Sequence, residues 1–265
     1  DPAGAKKVGT IMNFRPTIDY PDFEKGVLDE LELLFKDWHA EAKTKQFAYE
    51  YSADDMVFDG IYPYYTKQKC KILFIGREAL GINGLNYIDV LYNAYKGNRI
   101  GNKHINQHKF HYLMFYIAYG ANNGFPNWNE IPAASELSAT FATSSGISFS
   151  FMNISKLCNE SEDWKADWTL IDSFIDAFKD SKRNYYRDEI AIINPDIIIT
   201  MNLEIRLAAL GKVDVIEYGE DISKYNILIN DKNIPLFDLF HFSAPGKSPK
   251  EKYYDIISKA ISGIL

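Results

Sequence analysis

Lys71-Ile72-Leu73-Phe74-Ile75-Gly76-Arg77-Glu78-Ala79-Leu80-Gly81 is the stretch that organises the rest of the chain. A short apolar run that stops at Gly has the pattern of a buried strand entering a loop. Three further stretches share it: Ile147 to Asn153, Asp196 to Asn202, and Ile234 to Phe240. Helical periodicity separates them, over His104 to Tyr119, Trp164 to Phe178, Tyr185 to Ile193 and Leu203 to Leu210. Upstream, Phe23 to Trp38 puts Val27, Leu28, Leu31, Leu34 and Phe35 on one helical side. Downstream, Pro249 to Ile261 is amphipathic, with Ser248 as N-cap and Pro249 at the first helical position. Buried strands alternating with helices predict a three-layer α/β/α fold around a mostly parallel, four-stranded central sheet. Residues 69–265 would form that α/β domain, and residues 1–68 a helical lead-in packed on it.

In such sheets ligands bind beyond the carboxyl ends of the strands. The residues just past those ends are Arg77-Glu78-Ala79-Leu80-Gly81, Asn153-Ile154-Ser155-Lys156, Asn202, and His241-Phe242-Ser243-Ala244-Pro245. They present a carboxylate, an amide and an imidazole to one edge. Each also has a plain structural reading: Glu78 as a solvated turn residue, Asn153 as a cap, His241 as a satisfied residue among aromatics. Gly76 and Gly81 have the outer spacing of a phosphate loop, but Ile82 and Asn83 stand where Lys and Ser or Thr are needed. His104, His108 and His111 recur at helical spacing without H-E-x-x-H or a neighbouring carboxylate, so no metal is expected.

The 265 residues carry 36 Asp and Glu against 29 Lys and Arg, a net charge of −7 that argues against blanket nucleic-acid binding. The distribution is uneven. Val90 to Asn129 contains no acid but holds Lys96, Arg99, Lys103 and Lys109, and Leu239 to Lys250 is also acid-free, with Lys247 and Lys250. A locally positive face on an acidic protein is therefore expected. The two cysteines, Cys70 and Cys158, each lie beside an apolar run and read as buried reduced thiols, too few for a four-thiolate iron–sulfur cluster. No run approaches membrane-spanning length. Asp1 to Thr10 has neither an initiator Met nor an apolar core, the pattern of a trimmed start. A cytoplasmic location and no membrane association are expected; oligomeric state is not readable.

Taken together, these segments resemble the uracil-DNA glycosylase superfamily. Gly76-Arg77-Glu78-Ala79-Leu80-Gly81 is similar to its first motif, with forms such as G-Q-D-P-Y and G-E-A-P-G. Ile147 to Lys156 is similar to the family strand ending in an Asn. Ile193-Asn194-Pro195-Asp196-Ile197-Ile198-Ile199 resembles N-P-x-x-I-I, and His241-Phe242-Ser243-Ala244-Pro245 resembles H-P-S-P or H-P-S-A. Gly97-Asn98-Arg99-Ile100-Gly101 is similar to a G-N-R-T-G phrase of one branch. There are departures: Ala79 and Phe242 replace prolines, Gly246 or Lys247 stands where some relatives place an apolar wedge, and the four-Cys cluster of others is missing.

The resemblance implies hydrolysis of the N-glycosidic bond of uracil or a related damaged base, in single-stranded DNA or flipped from a duplex. Glu78 then takes the position of the water-activating acid, His241 that of the catalytic histidine, and Asn153 that of the residue reading the base edge. Gly76, Arg77, Gly81, Ser243 and Pro245 shape the motif loops. Lys96, Arg99, Lys156 and Lys247 are candidate phosphate contacts, and no cofactor is implied. A catalytically degenerate member that binds nucleic acid, nucleotide or protein is the alternative, and a hydrolase of free nucleosides a third.

Overall fold

The computed structural model describes residues 12–161 and 165–264. The segment Asp1 to Thr10 and the expected helix start at Trp164 fall outside the described residues. The central sheet has seven strands: β1 Gly60–Ile61, β2 Ile72–Gly76, β3 Ser150–Asn153, β4 Ile197–Met201, β5 Val213–Glu217, β6 Ile222–Ile229 and β7 Lys232–Leu239. Their spatial order is β1-β3-β2-β4-β7-β6-β5. The expected four-stranded sheet is thus corrected to a seven-stranded mixed one. Strands β3, β2, β4 and β7 run parallel, β1 pairs antiparallel on one flank, and β6 and β5 pair antiparallel on the other.

The three added strands have physical reasons for escaping a hydrophobic pattern. β1 is two residues long, and β5 is solvent-exposed over most of its length, so Asp214 and Glu217 interrupt its apolar residues. β6 joins β7 through Asn230-Asp231, both at positive φ (47° and 62°), as a two-residue hairpin turn matching the strand twist requires.

Alternation along the strands divides the core between two faces. Leu73, Ile75, Met152, Ile198 and Leu236 pack against helices α1 (Lys25–Ala42), α5 (Trp168–Phe178) and α6 (Tyr185–Ile193). Ile72, Phe74, Phe151, Ile199 and Phe237 pack against α2 (Tyr87–Lys96), α3 (Lys109–Asn122), α4 (Ala134–Thr140) and α7 (Asp255–Ile261). This is a three-layer α/β/α arrangement. Trp38 anchors the first face, stacked on Tyr185 at 5.1 Å and edge-on to Tyr186 and Phe178. Helix α1 and strand β1 are therefore integral to the sheet, although they precede residue 69.

Local signals set the helix limits. Asn86 caps α2 by accepting from the Ile88 and Asp89 N–H groups, and Asn184 caps α6 through the Arg187 N–H. Asn194, at φ 48°, ends α6 in the left-handed conformation just before Pro195. The Leu203 to Leu210 pattern forms a 3-10 helix, Glu204–Leu210, and Pro249 to Ile261 opens with a π-helical turn, Lys250–Tyr254. Among the described residues no helix is long and apolar enough to cross a membrane.

The hairpin yields a test. Asp231→Gly removes a Cβ from a left-handed position and should raise the stability by roughly 0.5–1 kcal/mol. Denaturant melts of parent and variant check it, and a lower midpoint in the variant would contradict the turn.

Candidate functional site

The carboxyl ends of the parallel strands share one edge of the sheet. There the register pairs Gly76 with Asn153. A side chain at Gly76 would meet the Phe151 ring at 2.7 Å and the Asn153 Oδ1 at 2.8 Å, so glycine is what lets β3 deliver both groups. The Phe151 ring in turn stacks on Tyr87 at 4.6 Å. Beyond the strand ends, the Ile154 N–H donates to the Gly76 carbonyl and the Ser155 N–H to the Arg77 carbonyl. A short ladder, Ala79–Leu80 with Cys158–Asn159, extends the association of the two loops, and Gly81 closes it at φ 63°.

Asn153 is 3% exposed. Its backbone N–H donates to Asp59 Oδ2 at 2.7 Å, but its side-chain amide makes no hydrogen bond to a described residue. The residue is nearly covered, yet the donors and acceptor of its amide are unused among the described residues.

Glu78 is half-buried. Its Oε1 accepts from the Asn159 amide at 3.2 Å and the Asp167 N–H at 2.9 Å, while its Oε2 is buried without a partner among the described residues. Asp167 is the N-cap of α5, so Glu78 sits against that helix's first turn. Burial pushes the Glu78 carboxyl above its ordinary range, and the two hydrogen bonds only partly offset it.

His241 follows β7. The Ser243 N–H donates to its Nδ1 at 3.3 Å, and the Ser243 hydroxyl lies 2.7 Å from the same atom. An Nδ1 that accepts from an N–H carries no proton, so the neutral ring bears its hydrogen on Nε2. Burial, reinforced by the charge of Arg77, lowers the imidazole to about 3. The ring packs on Phe110 at 5.3 Å, and Phe110 also meets Phe151 edge-on at 6.3 Å. Phe110 therefore links the His241 loop to the end of β3. Among the described residues no hydrogen bond joins Glu78 to Asn153 or His241, while the charge of Arg77 acts on both Glu78 and His241. Arg77 donates to the Met201 carbonyl at 3.2 Å and lies over the Trp168 ring at 4.6 Å.

The candidate phosphate contacts divide. Lys156 is corrected: its side chain is fully buried, 2.6 Å from Asp59 and 2.9 Å from Glu189, and is closed to a phosphate. Lys96, half-buried, donates its ammonium to the Ser138, Ala139 and Phe141 carbonyls at the end of α4. Arg99 is exposed on a short turn and donates to the Asn102 carbonyl, and Lys247 lies over the Phe240 ring at 3.8 Å. Pro245 is exposed and Gly246 turns at φ 69°.

Two residues that the strand-end reading missed hold the histidine loop. Lys109 donates to the Ala244 and Lys247 carbonyls at 2.9 and 2.6 Å, and the Tyr253 hydroxyl donates to the His241 carbonyl at 2.9 Å. The two acid-free stretches thus meet in space, which was the available signal for Lys109. Of the three spaced histidines, His111 is buried against the Tyr95 hydroxyl, and His108 packs on His111. Among the described residues no group of His, Cys, Asp and Glu has the arrangement of a metal site. Two surface concavities, one beside Leu33 and Arg183 and one beside Trp128 and Tyr254, lie on other parts of the molecule.

No family model matches this chain, and no curated protein does.

Two outcomes follow from the geometry. Gly76→Ala should destabilise the protein by about 1–3 kcal/mol, because a ring or a strand end must move; an unchanged denaturation midpoint would show that Phe151 swings aside freely. His241 should keep a neutral ring with hydrogen on Nε2 from pH 8 to pH 5 in two-bond proton–nitrogen spectra. Its unfolded value is near 6.5, so the stability it carries is complete above that pH and is lost as pH falls towards 3. A titration midpoint near 6.5 in the folded protein would contradict this environment.

Proposed function

We propose that this protein hydrolyses the N-glycosidic bond of uracil or a related damaged base in DNA. The observation that carries the reading is the side-chain amide of Asn153, which has no hydrogen bond to a described residue, beside the side-chain-free position at Gly76. An amide offers one donor pair and one acceptor, which is what pairing with a uracil edge requires. The base would enter as a single-stranded or extruded nucleotide.

Cleavage builds positive charge on the sugar and negative charge on the departing base. A carboxylate at Glu78 would oppose the first and orient or deprotonate water, and its raised value brings it closer to the working range of a general base. The Nε2–H of neutral His241 would donate to the base oxygen on which anionic charge grows. Exposed Arg99, together with Lys247, remains available for the DNA backbone. Two free, buried cysteines fit a reducing compartment, in keeping with a cytoplasmic enzyme.

A second reading, binding without chemistry, is favoured by one observation: Lys96 and Lys156 are committed to internal partners, which reduces the cations left for DNA. Single-turnover cleavage of a uracil-containing single-stranded oligonucleotide separates the two. The parent should cleave it. Glu78→Gln should be slower by on the order of a hundredfold to ten-thousandfold, and His241→Ala should be slower as well. Full activity in Glu78→Gln would overturn the mechanism, and a parent inert on uracil and on other damaged bases would leave the binding reading in its place.

A further inference from the structure

Asp59, Lys156 and Glu189 form a cluster of three ionisable side chains whose polar ends are wholly inside the protein. The Lys156 ammonium lies 2.6 Å from Asp59 Oδ1 and 2.9 Å from Glu189 Oε2, with 0% side-chain exposure for all three residues. It also lies over the rings of Phe35 and Trp38, at 5.6 and 5.3 Å. The residues come from three places: the turn before β1, the loop after β3, and α6.

Such a cluster is a costly way to fill a core. Apolar side chains of the same volume commonly stabilise as well or better, because three groups must leave water. What apolar groups cannot supply is a directed hydrogen bond. Asp59 uses its second oxygen, Oδ2, to accept the Asn153 N–H. Gly60, at φ 141°, gives the backbone a turn that few side chains tolerate, just after Asp59. The Val57 N–H meanwhile donates to the Lys156 carbonyl at 2.7 Å, so the same two segments are joined twice. Residues 153–156 are therefore clamped between the Gly76 and Arg77 carbonyls on one side and the 57–59 segment on the other. The charges balance internally: burial raises Glu189 well above the carboxylate range, while the two acids outweigh burial at Lys156 and keep it an ammonium.

We propose that Asp59 and Lys156 are positioning residues for Asn153, fixing its amide in the orientation that reads the base edge. This rests on the glycosylase reading. Neither residue touches substrate; Lys156 holds Asp59, and Asp59 holds the backbone of Asn153.

The test is a double-variant cycle. Single-turnover cleavage of a uracil-containing single-stranded oligonucleotide, oligonucleotide Kd and melting temperature are measured for the parent, Asp59→Ala, Asn153→Ala and the double variant. Asp59→Ala should slow cleavage by roughly tenfold to a hundredfold with Kd unchanged, and should add nothing once Asn153 is Ala. Losses that multiply would show that Asp59 does not act through Asn153 and would overturn the proposal. Asp59→Asn, which keeps the shape and an acceptor for the N–H, should recover part of the rate and replaces Ala if that variant does not fold. A second readout needs no cleavage: amide hydrogen exchange across residues 150–157 in full-length Lys156→Met. Faster exchange at 153–157, with β4 unchanged, supports the positioning role; parent-like exchange at Asn153 overturns it. Faster exchange together with a parent that cleaves no damaged base sinks only the glycosylase reading.

Discussion

Where β2 ends at Gly76, the ring of Phe151 and the amide of Asn153 fill the space that any side chain would take. That approach sets the spacing of the two central loops, because the next two N–H groups of the 153–157 loop close on the carbonyls of 76 and 77. The order then spreads outward. The loop ladder fixes Asn159, Asn159 holds Glu78, and Glu78 in turn receives the N–H of the residue that caps α5. A packing constraint at Gly76 thereby helps decide where the carboxylate of Glu78, in the loop that follows, comes to rest.

Electrostatics in this protein are organised inward as much as outward. Lys96, Lys109 and Lys156 each direct an ammonium at internal oxygens: the final carbonyls of a helix, the carbonyls of the histidine loop, and a pair of buried acids. The consequence is that the acid-free stretches do not translate into an equally cationic surface. Arg99 and Lys103 remain exposed there, so much of the apparent positive charge is structural.

The parallel strands were legible because each carries a short, largely apolar stretch near a Gly, Asn or Pro, and burial on both faces favours that pattern. β5 and β6 were not, since one of them faces water and its charges break the period. The signal for β6 lies instead in Asn230-Asp231, the turn dipeptide that joins it to β7. The positions of Glu78, Asn153 and His241 at strand ends could be placed from the sequence. The partners of Asn153 and Glu78 could not, because Asp59 and Asp167 lie 94 and 89 residues away in the chain. Lys156 was misassigned despite a readable clue: it stands in the run from Phe149 to Cys158, whose other members are apolar or small and polar up to Cys158. A lone charge in such surroundings is more often buried with a partner than offered to solvent.

The two thiols occupy different mechanical parts of the fold. Cys70 enters β2 from the core side, its backbone N–H and carbonyl both held by the Asn122 amide, and burial pushes its thiol up to about 12. Cys158 lies in the ladder between the site loops, where its sulfur accepts the Ile82 N–H, and burial raises it further still. Both are inert as long as they stay protonated and covered. Their rates of capture by an alkylating reagent therefore measure two different openings. Cys158 is uncovered when the ladder between the two loops parts, and Cys70 when the chain ahead of β2 parts from Asn122, so the two thiols report on two different openings.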